Sequence, residues 1–306
     1  MIRRDFLRTV AAGTAGSFLA PLSALTADER RLVILHTNDT HSRIDPFPLD
    51  GSRNQGLGGA ARRAALVNRI RASQPNVLLL DSGDIFQGTP YFNFFKGEIE
   101  FKTMSGMRYD VATLGNHDFD NGVNGWVDMQ EFADFEWVNS NYDVSRSAMA
   151  PFVRPWIIRE VGGIRIGILG VGIDFDRLVL PALHEGVTYN DPVVAARRAA
   201  EQLLGEGCDV VICLSHLGHW PRDDRPSDPA IAHEVPEIDM VLGGHSHTFL
   251  DEPQVIRRSS GRVAIVNQVG FAGIRLGRID LVFDRDRRVN RWYSSDYEID
   301  HRLDVA

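Results

Sequence analysis

Asp39 and His41 stand two residues apart, a spacing that turns both side chains to the same side of an extended segment. Further along, Asp84 follows Gly83 and Asn116 follows Gly115. His216 closes an apolar run, and His245 and His247 repeat the two-residue spacing behind Gly243-Gly244. Glycine at such points permits a sharp turn and close approach of the backbone to a ligand. The seven side chains are carboxylates, a carboxamide and imidazoles, with no thiolate. That donor set suits Mn2+, Zn2+, Fe2+ or Co2+ better than Ca2+ or Mg2+. They divide into two four-ligand sets. Asp39, His41, Asp84 and His247 make one, and Asp84, Asn116, His216 and His245 make the other, with Asp84 bridging. Two divalent ions against two carboxylates leave a charge of about +2, which attracts phosphate.

Each of these residues sits at the end of a short apolar run. The runs are RLVILHTNDTH (31–41), NVLLLDSGD (76–84), YDVATLGNHDFD (109–120), CDVVICLSH (208–216) and IDMVLGGHSH (238–247). They are nearly continuous in Val, Ile and Leu, the pattern of strands buried on both faces beneath helices. In open α/β sheets, sites form at the carboxyl ends of strands, so five strand ends can deliver the seven side chains to one crevice. Helices are expected between them. Residues 58–73 carry Ala61, Ala65, Leu66 and Ile70 at helical spacing, and 192–205 carry Val193, Val194, Ala196, Ala199 and Leu203. Asp191-Pro192 opens the second as N-cap and N1. Residues 161–171 read as a hairpin arm and strand, and 263–284 as two strands around a Gly-rich turn. RDRRVN (285–290) reads as the turn into a last strand. No repeat, low-complexity tract or long linker interrupts this, so one compact α/β domain from about 30 to 300 is expected.

Composition sets outer bounds. The 306 residues are 43% hydrophobic and 24% charged, a globular balance, with a formal net charge of -8. A nucleic-acid polymer is therefore an unsuitable partner, since binding one needs a basic face. The two cysteines, Cys208 and Cys213, are too far apart on extended chain to bridge and read as buried apolar residues. Residues 1–27 place Arg3-Arg4 ahead of a mildly apolar Ala- and Gly-rich stretch ending in small residues at Ala27. This pattern resembles a twin-arginine export signal, implying a periplasmic or otherwise exported protein. The stretch is too short and Gly-rich for a membrane anchor. Export in the folded state suits a protein that must load metals first.

The motifs HTNDTH (36–41), DSGD (81–84), GNHDFD (115–120), SHLG (215–218) and GGHSHT (243–248) resemble, in order and spacing, the five blocks of the calcineurin-like metallophosphoesterases. The 5'-nucleotidase branch is the most similar, along nearly the whole chain after the signal. The resemblance implies a four-layer α/β/β/α sandwich of two mixed sheets flanked by helices over residues 28–306. It implies that the seven residues hold two divalent metal ions. It also implies that His117 acts without binding metal, stabilising the transition state or protonating the leaving oxygen, while Asp120 orients it. Asp118 is the rival orienter, but the family's N-H-x-F-D pattern favours Asp120. Two features depart from the branch. Exported two-domain relatives often carry Gln where His247 stands. They also continue into a C-terminal nucleotide-binding domain, where this chain ends at Ala306, so nucleotide specificity does not carry over.

The expected reaction is hydrolysis of a small phosphomonoester, such as a 5'-nucleotide or nucleotide sugar, by metal-activated water without a covalent phosphoenzyme. The alternatives are a 2',3'-cyclic-nucleotide phosphodiesterase and a catalytic subunit needing a separate nucleotide-binding domain protein. His36, His184, His219, His233 and His301 read as structural, and His36 also reads as a support for the first motif it precedes. Asp81 reads equally as a supporting or a capping carboxylate, and Asn38 as a turn former. The phenylalanines at 86–101 (Phe86, Phe92, Phe94, Phe95, Phe101) read as core or interface packing before a substrate-stacking surface. The pairs Arg62-Arg63 and Arg197-Arg198 read as solvated helix faces.

Overall fold

The structure is a computed structural model describing residues 29–220, 225–259 and 261–304; the twin-arginine segment lies outside the described residues. Seven strands form one sheet, in the order β15 (Val289–Glu298), β14 (Arg275–Phe283), β1 (Arg30–Thr37), β2 (Val77–Asp81), β3 (Val111–Ala112), β4 (Glu136–Val138) and β6 (Val153–Arg154). Strands β1, β2, β3, β4 and β6 run parallel, and β14 and β15 pair antiparallel at the edge. A second sheet orders β12 (Gln254–Arg257), β13 (Val263–Asn267), β11 (Met240–Gly243), β10 (Val210–His216), β8 (Ile164–Gly172) and β7 (Trp156–Val161). Its middle four strands are parallel and its edges antiparallel. A short pair, β5 (Tyr142–Asp143) with β9 (Thr188–Tyr189), stands apart.

The sheets face each other because both sides of their strands are apolar. Along β1, Leu32 and Ile34 pack into the layer between the sheets, while Val33 and Leu35 face the helix side. Along β10, Val210, Ile212 and Leu214 point between the sheets, and Val211 and Cys213 point outward. One outer layer holds α1 (Ala60–Ser73), α2 (Pro90–Phe95), α3 (Glu98–Gly106) and α4 (Gly122–Asp128) against the first sheet. The other holds α5 (Pro192–Gly205) and α6 (Asp228–Glu234) against the second. This is the four-layer α/β/β/α arrangement the motifs imply. Asp191 caps α5, accepting from the Val193 and Val194 amides at 2.8 and 3.0 Å. Both cysteines are free and buried.

Three readings need adjustment. Helix α1 begins at Ala60 rather than 58, because Gly58 and Gly59 take φ of 79° and 105°, outside the helical region. Arg63 is no solvated residue: it is 3% exposed, with its guanidinium turned inward against the backbone of Gly273. The absent side chain at Gly273 makes that room. The phenylalanine cluster divides, with Phe86, Phe92 and Phe101 in the core and Phe94 and Phe95 exposed.

Candidate dinuclear metal site

The parallel strands of both sheets end at one crevice, and their following loops are fastened to one another. Asp39 N–H donates to Gly83 O at 2.9 Å and His41 N–H to Asp84 O at 3.1 Å, pinning the loop after β1 to the loop after β2. Asn38 donates from Nδ2 to Asp39 Oδ2 at 2.6 Å and to Gly270 O at 2.5 Å, and accepts from Val269 N at 3.1 Å. Its turn-forming role thus extends to aiming the Asp39 carboxylate. Two glycines are fixed by space. A Cβ at Gly115 would lie 2.2 Å from Asp84 Oδ1 and 2.7 Å from His216 Cε1, and one at Gly244 would lie 2.8 Å from His216 Nδ1.

The crevice gathers all seven metal-competent side chains. Asp39, His41 and His247 converge within 4.8 Å as one group, and Asp84, His216 and His245 as another. Asn116 joins the second, with Oδ1 at 3.0 Å from His245 Nδ1. Asp84 Oδ2 stands between the groups, 3.1 Å from His216 Nε2 and 3.8 Å from His41 Nε2. Asp39 also reaches both, with Oδ1 at 3.3 Å from His247 Nε2 and 3.9 Å from His216 Nε2.

Three observations test whether these residues fit metal ions. First, His216 is fully buried, yet its Nε2 makes no hydrogen bond even at 3.1 Å from Asp84. The two atoms stand as two ligands of one ion would. Second, Asp39, His41, Asp84, His245 and His247 all take positive φ, between 46° and 68°. Such strain, about 1–3 kcal/mol per residue, collects at functional sites. Third, the electrostatics call for positive charge. Burial opposes a charge on His216, but the Asp84 and Asp39 carboxylates push its pKa up to about 10. Burial likewise opposes ionisation of Asp84, and the His216 ring outweighs it, holding that carboxyl well below the usual range. His245, pulled down to about 4 by burial and by His216, is a neutral imidazole ready to donate a lone pair.

His117 stands beside the groups, its ring edge-on to His41 at 5.3 Å. Its Nδ1 lies 2.9 Å from Asp120 Oδ2, and its backbone N–H donates to Asp84 Oδ1 at 2.8 Å. The Asp120 hydrogen bond raises the His117 pKa against the opposing pull of burial. Asp118, weighed in the sequence only as an orienter of His117, does something else. Fully buried, it accepts from the amides of Gly115 (2.8 Å), Asp84 (3.0 Å), Ile85 (2.9 Å) and Phe86 (3.3 Å). It therefore fixes the turn that carries Asp84. Burial, with Asp84 nearby, pushes its own pKa up to about 7. Asp81 caps locally, accepting from Thr37 Oγ1 at 2.5 Å and Gly83 N at 2.9 Å. His36 is fully buried and hydrogen-bonded to Asn267 at 2.9 Å.

The profile of the calcineurin-like phosphoesterases matches residues 32–249. The chain belongs to that family. Two metal-competent groups across a shared carboxylate fit a dinuclear metallophosphoesterase. Among its relatives, the snake venom 5'-nucleotidase of Crotalus adamanteus is 35% identical over 87% of this chain and 47% of its own length. The 5'-nucleotidase of Homo sapiens is 32% identical over 83% and 46% respectively. The crystal structure of a 5'-nucleotidase precursor from Thermus thermophilus superposes with a TM-score of 0.80 at 32% identity, over 90% of this chain and 55% of that one. The chain spans about half the length of the curated relatives it matches. Among the described residues, no helix of the chain is long and apolar enough to cross a membrane.

Proposed function

We propose that this phosphoesterase hydrolyses small phosphomonoesters, 5'-nucleotides foremost, at a dinuclear metal centre. In this reading Asp39, His41 and His247 hold one ion, Asn116, His216 and His245 hold the other, and Asp84 bridges them. The observation that carries the reading is the placement of Asp84 Oδ2 between two imidazoles from opposite groups, at 3.1 and 3.8 Å. Its relatives with 5'-nucleotidase names support the substrate class. When bound, the two ions would polarise the phosphoryl group and acidify a water near neutral pH.

The chain's own residues then do the following. Asp39 and Asp84 offset about half the charge of the ions, leaving an attraction for phosphate, and His216 is fully buried behind them. His117, tied through Nδ1 to Asp120, keeps Nε2 as the nitrogen that protonates the leaving oxygen. Asp120 sets the ring's orientation and favours its protonated form. We also infer export by the twin-arginine route from Arg3-Arg4 and the segment behind them. Retention of an Arg3→Lys/Arg4→Lys chain in the cytoplasm is the expected outcome.

The test is turnover of AMP, 2',3'-cyclic AMP and an aryl phosphate by the Mn2+-loaded protein, with and without His117→Ala. Preferred cleavage of AMP that collapses in the variant supports the proposal. Preference for the cyclic diester replaces the monoesterase reading with a diesterase one. Metal uptake with no turnover of any substrate moves the reading to a subunit that requires its partner.

A further inference from the structure

Gln268 follows β13, belongs to none of the five motifs, and is fully buried. Both ends of its amide are in use. Nε2 donates to Gly244 O at 2.6 Å and to Asp228 Oδ2 at 3.3 Å. Oε1 accepts from Ser246 Oγ at 3.0 Å and from the backbone N–H of Thr248. Residues 244, 246 and 248 alternate with His245 and His247. One side chain thus holds the chain on both sides of each imidazole, through hydrogen bonds to neither ring.

The grip falls where the backbone needs it. His245 and His247 take φ of 68° and 53°, a conformation that persists only when the surroundings impose it. The clamp is itself anchored. Asp228 is fully buried; its Oδ1 accepts from Ser215 Oγ at 2.6 Å, and its backbone N–H donates to Gly218 O at 2.9 Å. Ser246 Oγ also accepts from the His219 N–H at 2.9 Å. The web therefore ties the loop carrying His245 and His247 to the loop that follows His216. Glutamine meets the requirement because it offers a donor to Gly244 O and an acceptor to the Thr248 N–H at once. A carboxylate at 268 would set lone pairs against both Gly244 O and Asp228.

We propose that Gln268 is a positioning residue: it sets the left-handed backbone at His245 and at His247 so that the two imidazoles, one from each group, converge on their metals. The inference rests on the dinuclear reading above and adds a residue that binds no metal.

The test uses Gln268→Glu, which keeps shape and size, and Ser246→Ala, which removes one of the four contacts. Co2+ binding is followed by calorimetry and by visible absorption, and folding by circular dichroism. Loss of a group that supports metal ligands costs roughly 10–100-fold in metal affinity. That weakening, with an altered Co2+ spectrum in a chain that keeps its far-ultraviolet spectrum, is expected for Gln268→Glu. A smaller change in the same direction is expected for Ser246→Ala. A Gln268→Glu chain that melts earlier but binds Co2+ with wild-type affinity and spectrum overturns the proposal, leaving Gln268 as packing. If that variant does not fold, wild-type Co2+ binding by Ser246→Ala overturns it and weakened binding supports it. Failure of the unsubstituted protein to bind Co2+ instead removes the dinuclear reading, and this inference with it.

Discussion

Replacing Gly115 with alanine adds one methyl group at a crowded point of the crevice. The new carbon would meet Asp84 Oδ1 at 2.2 Å, Asp84 N at 2.5 Å and His216 Cε1 at 2.7 Å, where ordinary contact begins near 3.4 Å. The Asp84 carboxylate would have to retreat by about 1 Å. Its backbone cannot follow freely, because the Asp84 N–H is held by Asp118 at 3.0 Å and its carbonyl accepts from His41 at 3.1 Å. Overpacking of this kind costs roughly 1–3 kcal/mol. At about 2–4 °C per kcal/mol for a chain of this size, the melting temperature should fall by several degrees. A misplacement of about 1 Å at a reacting centre costs on the order of 10²-fold in rate. Gly205→Ala is the control: at the open end of α5 its added carbon has nothing within 4 Å, and it should be neutral or stabilising by up to about 1 kcal/mol. Thermal melts and aryl phosphate turnover of both variants make the comparison. A Gly115→Ala protein that melts with the wild type and turns over undiminished refutes the reasoning.

Three further outcomes are expected. His117→Ala should lower turnover by about 10²–10⁴-fold while metal stoichiometry, read by elemental analysis, stays the same. Asp118→Asn turns an amide donor toward one of the two N–H pairs that the carboxylate accepts from, Ile85 and Phe86 at Oδ1 or Asp84 and Gly115 at Oδ2, and urea unfolding should register a loss of about 1–3 kcal/mol. Burial pulls the His36 pKa down to about 3, so the folded state holds the neutral ring. Its contribution is therefore fully present above the unfolded value near 6.5 and is lost as pH falls toward 3, at about 1.4 kcal/mol per pH unit. Urea unfolding at pH 7 and pH 5 should show a shallower acid-side loss for His36→Gln than for the wild type.

Much of the crevice was legible because its residues close apolar runs, and strand ends are where an α/β fold exposes side chains. The alternation of Leu32 and Ile34 against Val33 and Leu35 likewise follows from runs apolar on both faces. What stayed hidden depends on neighbours distant in sequence. Arg63 sits in a helix whose pattern reads as solvated there, and only Gly273, some two hundred residues away, opens a place for it inside. Asp118 could be seen as a carboxylate beside His117, but its bonds to the Asp84–Phe86 amides appear only once β2 and β3 are side by side. Gln268 carries no metal donor and stands between a strand and a Gly-rich turn, so nothing local marks it. The positive φ of five metal-competent residues is also beyond sequence reading, because aspartate and histidine adopt it more readily than most side chains but still in a small minority of positions.

The most direct test is metal content against activity on one preparation. The purified protein is stripped with a chelator, titrated with Mn2+ or Zn2+ in a calorimeter, and assayed for AMP hydrolysis at each addition. Two ions bound per chain, with hydrolysis absent from the stripped protein and restored as the second site fills, is the expected result. Hydrolysis that survives stripping, or a chain that takes up no metal, would contradict a dinuclear phosphoesterase built on Asp84.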